Sequence, residues 1–159
     1  DKMVDFLSSI DNEKYEVLYI TGKTSYEKFK NNKLSKNVFV VPYVENLSAL
    51  MKDFDVIISR AGASIISEIV AIGVPTIFIP SPYVAHNHQF YNASVMVEDG
   101  AAEMIEEKDL NQETLKTKIE EIMNHPARRE SIHQNALRLG KPNACSDILD
   151  WCEELLNKR

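Results

Sequence analysis

Short apolar runs alternate with helix-period segments along the first half of the chain. Residues 15–20, 37–41, 55–59 and 75–79 are rich in β-branched residues and nearly continuous in apolar character. Thr21-Gly22-Lys23, Pro42 and Pro80 close the first, second and fourth of these runs. Such runs predict strands buried on both faces. Residues 25–31, 46–52 and 64–72, between them, carry helical spacing. Strand, helix and strand at this interval predict right-handed βαβ units on a parallel sheet. The expected class is therefore α/β, a Rossmann-like parallel sheet flanked by helices.

The pattern changes after Pro82. Residues 87–97 predict a helix, 101–105 a short strand, and 111–124, 127–139 and 144–156 three further helices. Pro126 suits a helix start, and Gly140-Lys141-Pro142 separates the last two helices. Residues 3–10 read as a helix with no strand before it, an arrangement that points to a missing upstream piece. Tyr19, Phe39, Phe78 and Trp151 read as core or helix-packing residues, and residues 103–109 as an acidic, solvated face.

Composition narrows the class without naming an activity. The chain has 159 residues, 44% of them apolar and 26% charged, as in an ordinary globular domain with a real core. Eighteen basic residues against 24 acidic ones leave a net charge of -6. No basic excess is available to displace counterions from a polyanion, so nucleic acid is not the expected partner. Cys145 and Cys152 are seven residues apart in a helical stretch. Helical rise alone separates their Cα atoms by about 10 Å, too far for a disulfide, and free thiols in a reducing compartment are expected. No apolar run reaches the roughly 18 residues of a membrane span, and nothing at Asp1-Lys2-Met3 reads as a signal peptide.

Two segments carry candidate chemistry. The first is Ser59-Arg60-Ala61-Gly62-Ala63-Ser64-Ile65-Ile66-Ser67-Glu68: a strand end, a small-residue turn and a helix start. Ligands of open parallel sheets bind at this edge. Gly62 and Ala63 leave room for close backbone approach. Ser64 suits the N-cap, and the N–H groups beyond it form an anion site. Glu68 lies one helical turn after Ser64 and shares its side, where a carboxylate can accept from vicinal ribose hydroxyls. Phosphate at the helix tip and a diol one turn away fit a nucleotide. A plain capped βα turn fits the same spacing. Neither a Walker loop nor a full dinucleotide fingerprint is present.

The second segment is His86-Asn87-His88-Gln89-Phe90-Tyr91-Asn92-Ala93, after Ile79-Pro80-Ser81-Pro82. His88 and Gln89 can point donors at a neutral polar ligand such as a sugar, although for His88 by itself a capping or surface role is the commoner reading. His86 and His88 do not share a helical face and no third ligand is near, so no metal site is expected. Lys23, after Gly22, is a candidate cation for phosphate or a plain loop lysine. The Tyr43-Val44-Glu45 segment can offer backbone groups to a flat base edge or form a simple turn.

Taken together, several segments resemble a known family. They are residues 56–64, Ser67-Glu68, Gly73-Val74-Pro75, Ile79-Pro80-Ser81-Pro82, Asn87-His88-Gln89 with Asn92-Ala93, and Leu139-Gly140-Lys141-Pro142. In order and spacing they resemble the C-terminal, donor-binding half of the MurG family. These are GT-B enzymes that transfer N-acetylglucosamine (GlcNAc) from UDP-GlcNAc to undecaprenyl-pyrophosphoryl-muramoyl-pentapeptide. The resemblance covers nearly the whole chain and is specific as a set, though each motif alone is weak.

The resemblance implies a single donor-binding domain over residues 1–159. The family's Gly-Gly-Ser loop and its acceptor-binding domain, the expected source of the catalytic base, would lie upstream of Met3. Backbone around Val44 would hold the uracil edge. Ala63, Ser64 and Ile65 would meet the diphosphate, and Glu68 the ribose hydroxyls. His88 and Gln89 would contact the GlcNAc hydroxyls, with Asn92 shaping that helix start. Ile65 stands where many members carry Thr, and His88 where many carry Gln. The implied reaction is inverting glycosyl transfer without a cofactor, the charge on UDP being met by the helix dipole and backbone N–H groups. UDP-GlcNAc and a lipid-linked acceptor are the implied partners. The full enzyme would sit peripherally on the cytoplasmic membrane face, and this domain alone would be soluble and inactive. Donor subunits for glycolipid or dolichol-linked acceptors, a UDP-GlcNAc epimerase, and a non-catalytic nucleotide-sugar module are the alternatives.

Overall fold

The computed structural model describes residues 2–10 and 13–157. The elements run α1 (Lys2–Ser8), β1 (Val17–Ile20), α2 (Lys23–Phe29), β2 (Val38–Val41), α3 (Leu47–Met51), β3 (Ile57–Ser59), α4 (Ala63–Ile72) and β4 (Thr76–Phe78). A 3₁₀ turn at Ala85–Asn87 leads into α5 (His88–Glu98), then β5 (Glu103–Met104), α6 (Gln112–Met123), α7 (Pro126–Leu139) and α8 (Ala144–Asn157). Every strand and helix expected from the pattern is present, with ends displaced by a few residues. Side-chain capping explains two of the helix starts. Asn46 accepts from the Ala49 N–H before α3, and Asn111 forms a reciprocal capping box with Thr114 before α6. Pro126 occupies the first turn of α7, where its missing N–H costs nothing.

All pairings are parallel, as expected, but the hydrogen bonding forms two ladders. One is β1–β2 with Val17 opposite Val38; the other is β3–β4–β5 with Ile57 opposite Thr76 and Ile77 opposite Glu103. The two ladders share a core. Val17, Tyr19 and Val38 pack against the same cluster as Val56, Ile58, Ile77 and Ile79.

Strand β4 organises the molecule. Its side chains alternate across the sheet, as pleat geometry requires. Ile77 and Ile79 enter a cluster with Phe6 and Leu7 of α1 and Leu115, Ile119 and Ile122 of α6. Phe78 enters a second cluster with Met51 of α3, Ile69 and Val70 of α4, and Ala93 and Met96 of α5. Helices thus cover both faces. Among the described residues only β4 is a fully buried strand, whereas β1, β2 and β3 are half-buried, with one exposed position on β2, so of the four expected runs one meets the expectation of burial on both faces. The reason is position: β4 is hydrogen-bonded on both edges, and the others are nearer the margins.

Two of the expected core aromatics are exposed. Phe39 is 51% exposed, because on β2 it points opposite to Val38, which takes the core side. Trp151 is 68% exposed, because α8 lies outside both clusters and every one of its residues is exposed. Phe78 is completely buried, and Tyr19 packs edge-on against Phe29 with ring centroids 5.7 Å apart. Cys145 and Cys152 are free thiols on α8. Among the described residues no helix is long and apolar enough to cross a membrane.

Candidate nucleotide-sugar site

The candidate residues all lie just beyond the C-terminal ends of strands, where the chain leaves the sheet for a helix. Val44 follows β2, the 60–68 segment follows β3, and the 81–92 segment follows β4. In parallel sheets this is the ligand edge, because the following helices present their N-termini there.

The turn after β3 starts α4 earlier than expected. Gly62, not Ser64, is the N-cap: its extended φ of -74° and ψ of 147° end the turn, and its carbonyl accepts from the Ile66 N–H at 3.1 Å. Ser64 is therefore the second helical residue and is exposed, with its own N–H in the first turn. A glycine cap brings no hydroxyl, and among the described residues no side chain caps this helix. The Ala63, Ser64 and Ile65 N–H groups precede the first N–H that an α-helical bond satisfies, so they form an anion-facing tip at the positive end of the dipole. A Cβ on Gly62 would meet only the Ile65 side chain, at 3.9 Å, so the cap is open to approach.

Glu68 is half-buried one turn along α4. Its Oε2 accepts from the Ser48 hydroxyl of α3 at 2.6 Å. Val44 is half-buried in the segment between β2 and α3, three residues before that helix begins. Tyr43 beside it is 58% exposed, and the Lys23 ammonium lies 5.4 Å from its ring centre. Lys23 is the first residue of α2, after Gly22, whose φ of +77° suits glycine. The lysine that sequence offered to phosphate is thus drawn toward an aromatic face.

The loop after β4 is shaped by its own polar groups. Gln89 Oε1 accepts from the Ser81 N–H at 2.9 Å, which leaves the amide Nε2 as the side chain's donor end. His86 and Asn87 both take left-handed φ values, +53° and +51°, uncommon for non-glycine residues but more accessible to His and Asn than to most. Their turn brings His88 to the first position of α5, exposed, with Gln89 half-buried behind it. Asn92, one turn on, donates Nδ2 to the Ala61 carbonyl at 3.1 Å. The two candidate segments are therefore physically joined.

Arg60 adds a contact that the sequence did not reveal. Its Nη1 donates to the Ile79 carbonyl at 3.1 Å and pairs with Glu107 Oε2 at 2.5 Å. It thus clasps the ends of β3 and β4 to the segment after β5. The acidic stretch 103–109 is accordingly more than a solvated face. Glu103, with its side chain only 14% exposed, meets Lys118 at 2.9 Å and also pairs with Arg128. Burial alone would raise the Glu103 carboxyl, but these two cations outweigh it and hold it below the usual carboxylate range. Ser48, Arg60 and Ser81 carried no local signal, since each acts on a residue at least eight positions away. Among the described residues no group of three or more His, Cys, Asp or Glu is arranged to hold a metal.

Residues 2–148 match the glycosyltransferase family 28 C-terminal domain. The chain is 38% identical over 162 aligned residues to the UDP-N-acetylglucosamine--N-acetylmuramyl-(pentapeptide) pyrophosphoryl-undecaprenol N-acetylglucosamine transferase of Bacillus cytotoxicus, covering 99% of this chain and 44% of that protein. The enzyme of the same name from Lactiplantibacillus plantarum is 37% identical, with 94% and 42% covered. The chain thus spans less than half the length of the curated relatives it matches. Among solved structures, Acinetobacter baumannii MurG superposes with a TM-score of 0.81 at 22% identity, covering 97% of this chain and 47% of that one. The glycosyltransferase VinC, in complex with dTDP, superposes with a TM-score of 0.70 at 22% identity, covering 96% and 37%. These neighbours share the fold, that of a GT-B glycosyltransferase's C-terminal half. The chain belongs to the family 28 glycosyltransferases, whose C-terminal domain it matches over residues 2–148.

Proposed function

We propose that this chain is the donor-binding half of an inverting glycosyltransferase that moves GlcNAc from UDP-GlcNAc to a lipid-linked muramoyl-pentapeptide in peptidoglycan synthesis. The observation that carries the reading is the pairing of an α4 tip that no side chain caps with Glu68 one turn along, in a chain 38% identical to transferases of that name. A diphosphate at the Ala63, Ser64 and Ile65 N–H groups brings the ribose hydroxyls to Glu68. The base then reaches the backbone near Val44, and the sugar lies toward His88 and Gln89 at the start of α5, with Asn92 holding that start in place.

In the reaction the acceptor hydroxyl oxygen bonds to the anomeric carbon as the bond from that carbon to the UDP oxygen breaks, with inversion. The acceptor proton passes to a base in the acceptor-binding half, and no residue of this chain is assigned that role. Negative charge grows on the leaving diphosphate. The α4 dipole and its free N–H groups stabilise that charge more in the transition state than in the ground state. Because the acceptor is lipid-linked and the donor is a nucleotide sugar, the reaction belongs to the cytoplasmic membrane face, with the acceptor half supplying attachment.

The test is a calorimetric titration with UDP-GlcNAc, UDP-GalNAc, GDP-mannose and UDP. Saturable binding with UDP-GlcNAc tightest is expected. A site built to hydrogen-bond particular hydroxyls penalises an epimer that leaves them unpaired. GDP-mannose binding as tightly as UDP-GlcNAc would sink the reading.

A further inference from the structure

We infer that Ser48 is a positioning residue that presets the Glu68 carboxylate for the ribose diol, an inference that rests on the donor-site reading above. The Ser48 hydroxyl has one proton, and it is given to Glu68 Oε2 at 2.6 Å in a half-buried contact. Within a helix, serine commonly turns its hydroxyl back to its own backbone; here it reaches across to another helix instead.

The contact has a firm base. Ser48 is the second residue of α3, whose start is fixed by the Asn46 cap on the Ala49 N–H at 3.2 Å. Helix α3 is anchored by Met51, 1% exposed, in the same cluster as Ile69 of α4. Leu47 of α3 and Ile65 of α4 pack against that cluster. Ser48 and Glu68 therefore face each other from two helices whose separation is set by packing.

A free glutamate has three rotatable bonds, and a ligand that needs its carboxylate in one orientation bears the entropy of ordering it. A hydrogen bond from Ser48 removes much of that freedom before ligand arrives. It occupies one lone pair of Oε2 and leaves Oε1 and the remaining Oε2 lone pair to accept from two vicinal hydroxyls. Because α3 begins three residues after Val44, the segment assigned to the base and the carboxylate assigned to the ribose are tied to one short helix. Ser48 thus belongs to the specificity of the site without touching the ligand.

The experiment compares UDP with 2′,3′-dideoxy-UDP, which lacks the diol, on the wild-type chain and on Ser48→Ala, Ser48→Thr and Glu68→Gln. Wild type should prefer UDP. Ser48→Ala should lose about three- to ten-fold in UDP affinity, the equivalent of ordering one long side chain. Its dideoxy-UDP affinity should stay unchanged, which also reports an intact fold. Ser48→Thr, which keeps the hydroxyl, should restore the preference. An unchanged UDP preference in Ser48→Ala, alongside a collapsed one in Glu68→Gln, would overturn the role of Ser48 and leave the ribose assignment standing. Equal losses on both ligands in Ser48→Ala would reduce the residue to a packing role and overturn the inference. No effect in Glu68→Gln would remove the ribose assignment and this inference with it.

Discussion

The Asn92 side chain donates to the Ala61 carbonyl at 3.1 Å, and so joins helix α5 to the turn that precedes α4. Ala61 is completely buried, so its carbonyl depends on protein partners. One amide thereby ties together the two segments of the candidate site, the one proposed for the diphosphate and the one proposed for the sugar.

Asn92→Ala should therefore lower stability and weaken UDP-GlcNAc binding together. Leaving a buried acceptor without its donor costs about 1 to 3 kcal/mol. A urea midpoint and a UDP-GlcNAc titration on the same variant check this. A variant as stable as wild type, with unaltered affinity, would remove the link between the segments.

His88 and Gln89 should act on the sugar and not on the nucleotide. His88→Ala and Gln89→Ala are both expected to weaken UDP-GlcNAc while sparing UDP, by roughly ten-fold for each lost hydrogen bond. Gln89→Ala should have the larger effect, since it also frees the Ser81 N–H that shapes the loop. Calorimetry with the two ligands decides it; a matched loss for both would assign these residues to the fold of the loop alone.

Gly73 ends α4 with a left-handed φ of +77° and packs directly against α7. An added Cβ would come within 2.6 Å of the His133 ring and 2.8 Å of Leu137. The His133 Nδ1 also lies 2.7 Å from the Gly73 carbonyl and donates to it, so the neighbour is not free to withdraw. Gly73→Ala should destabilise the domain by about 2 to 4 kcal/mol, combining backbone strain with overpacking. Thermal unfolding measures this, and a loss below half a kcal/mol would mean that α7 shifts at little cost.

The Glu103 cluster should make stability depend on acid. Burial works against the carboxylate, but hydrogen bonds and charge from Lys118 and Arg128 more than offset it and lower its pKa. A group lowered in the folded state contributes stability above its unfolded pKa and loses it as pH falls through the folded one. The contribution should be complete at neutral pH and should fade below the usual carboxylate range. In Glu103→Gln the loss of stability on acidification should be shallower than in wild type. Urea midpoints across that range test it, and parallel curves for the two proteins would show that Glu103 does not supply the dependence.

Much of the architecture was legible because it is written in local pattern. The apolar runs located every strand, and Asn46, Asn111 and Pro126 marked helix starts through hydrogen bonds reaching only a few residues. Parallel βαβ order alone sends Val44, Ser64 and Gln89 to strand C-terminal ends. The small-residue turn 61–64 marked the start of α4, although the cap proved to be Gly62, since a glycine takes the extended cap conformation as readily as serine.

Other features became visible only when distant residues met. Phe39 and Trp151 resemble core residues in composition, and only the side of β2 that faces the cluster and the position of α8 outside it expose them. Glu103 and Glu107 look alike in a run of acids, yet one is sandwiched between Lys118 and Arg128 and the other clasps Arg60. Ser48 and Glu68 are 20 residues apart and carry no shared motif. Hydrophobic period and helix capping act over a few residues and can be read along the chain. A hydrogen bond between two helices depends on how the core sets their separation, and that is decided only by the packed tertiary structure.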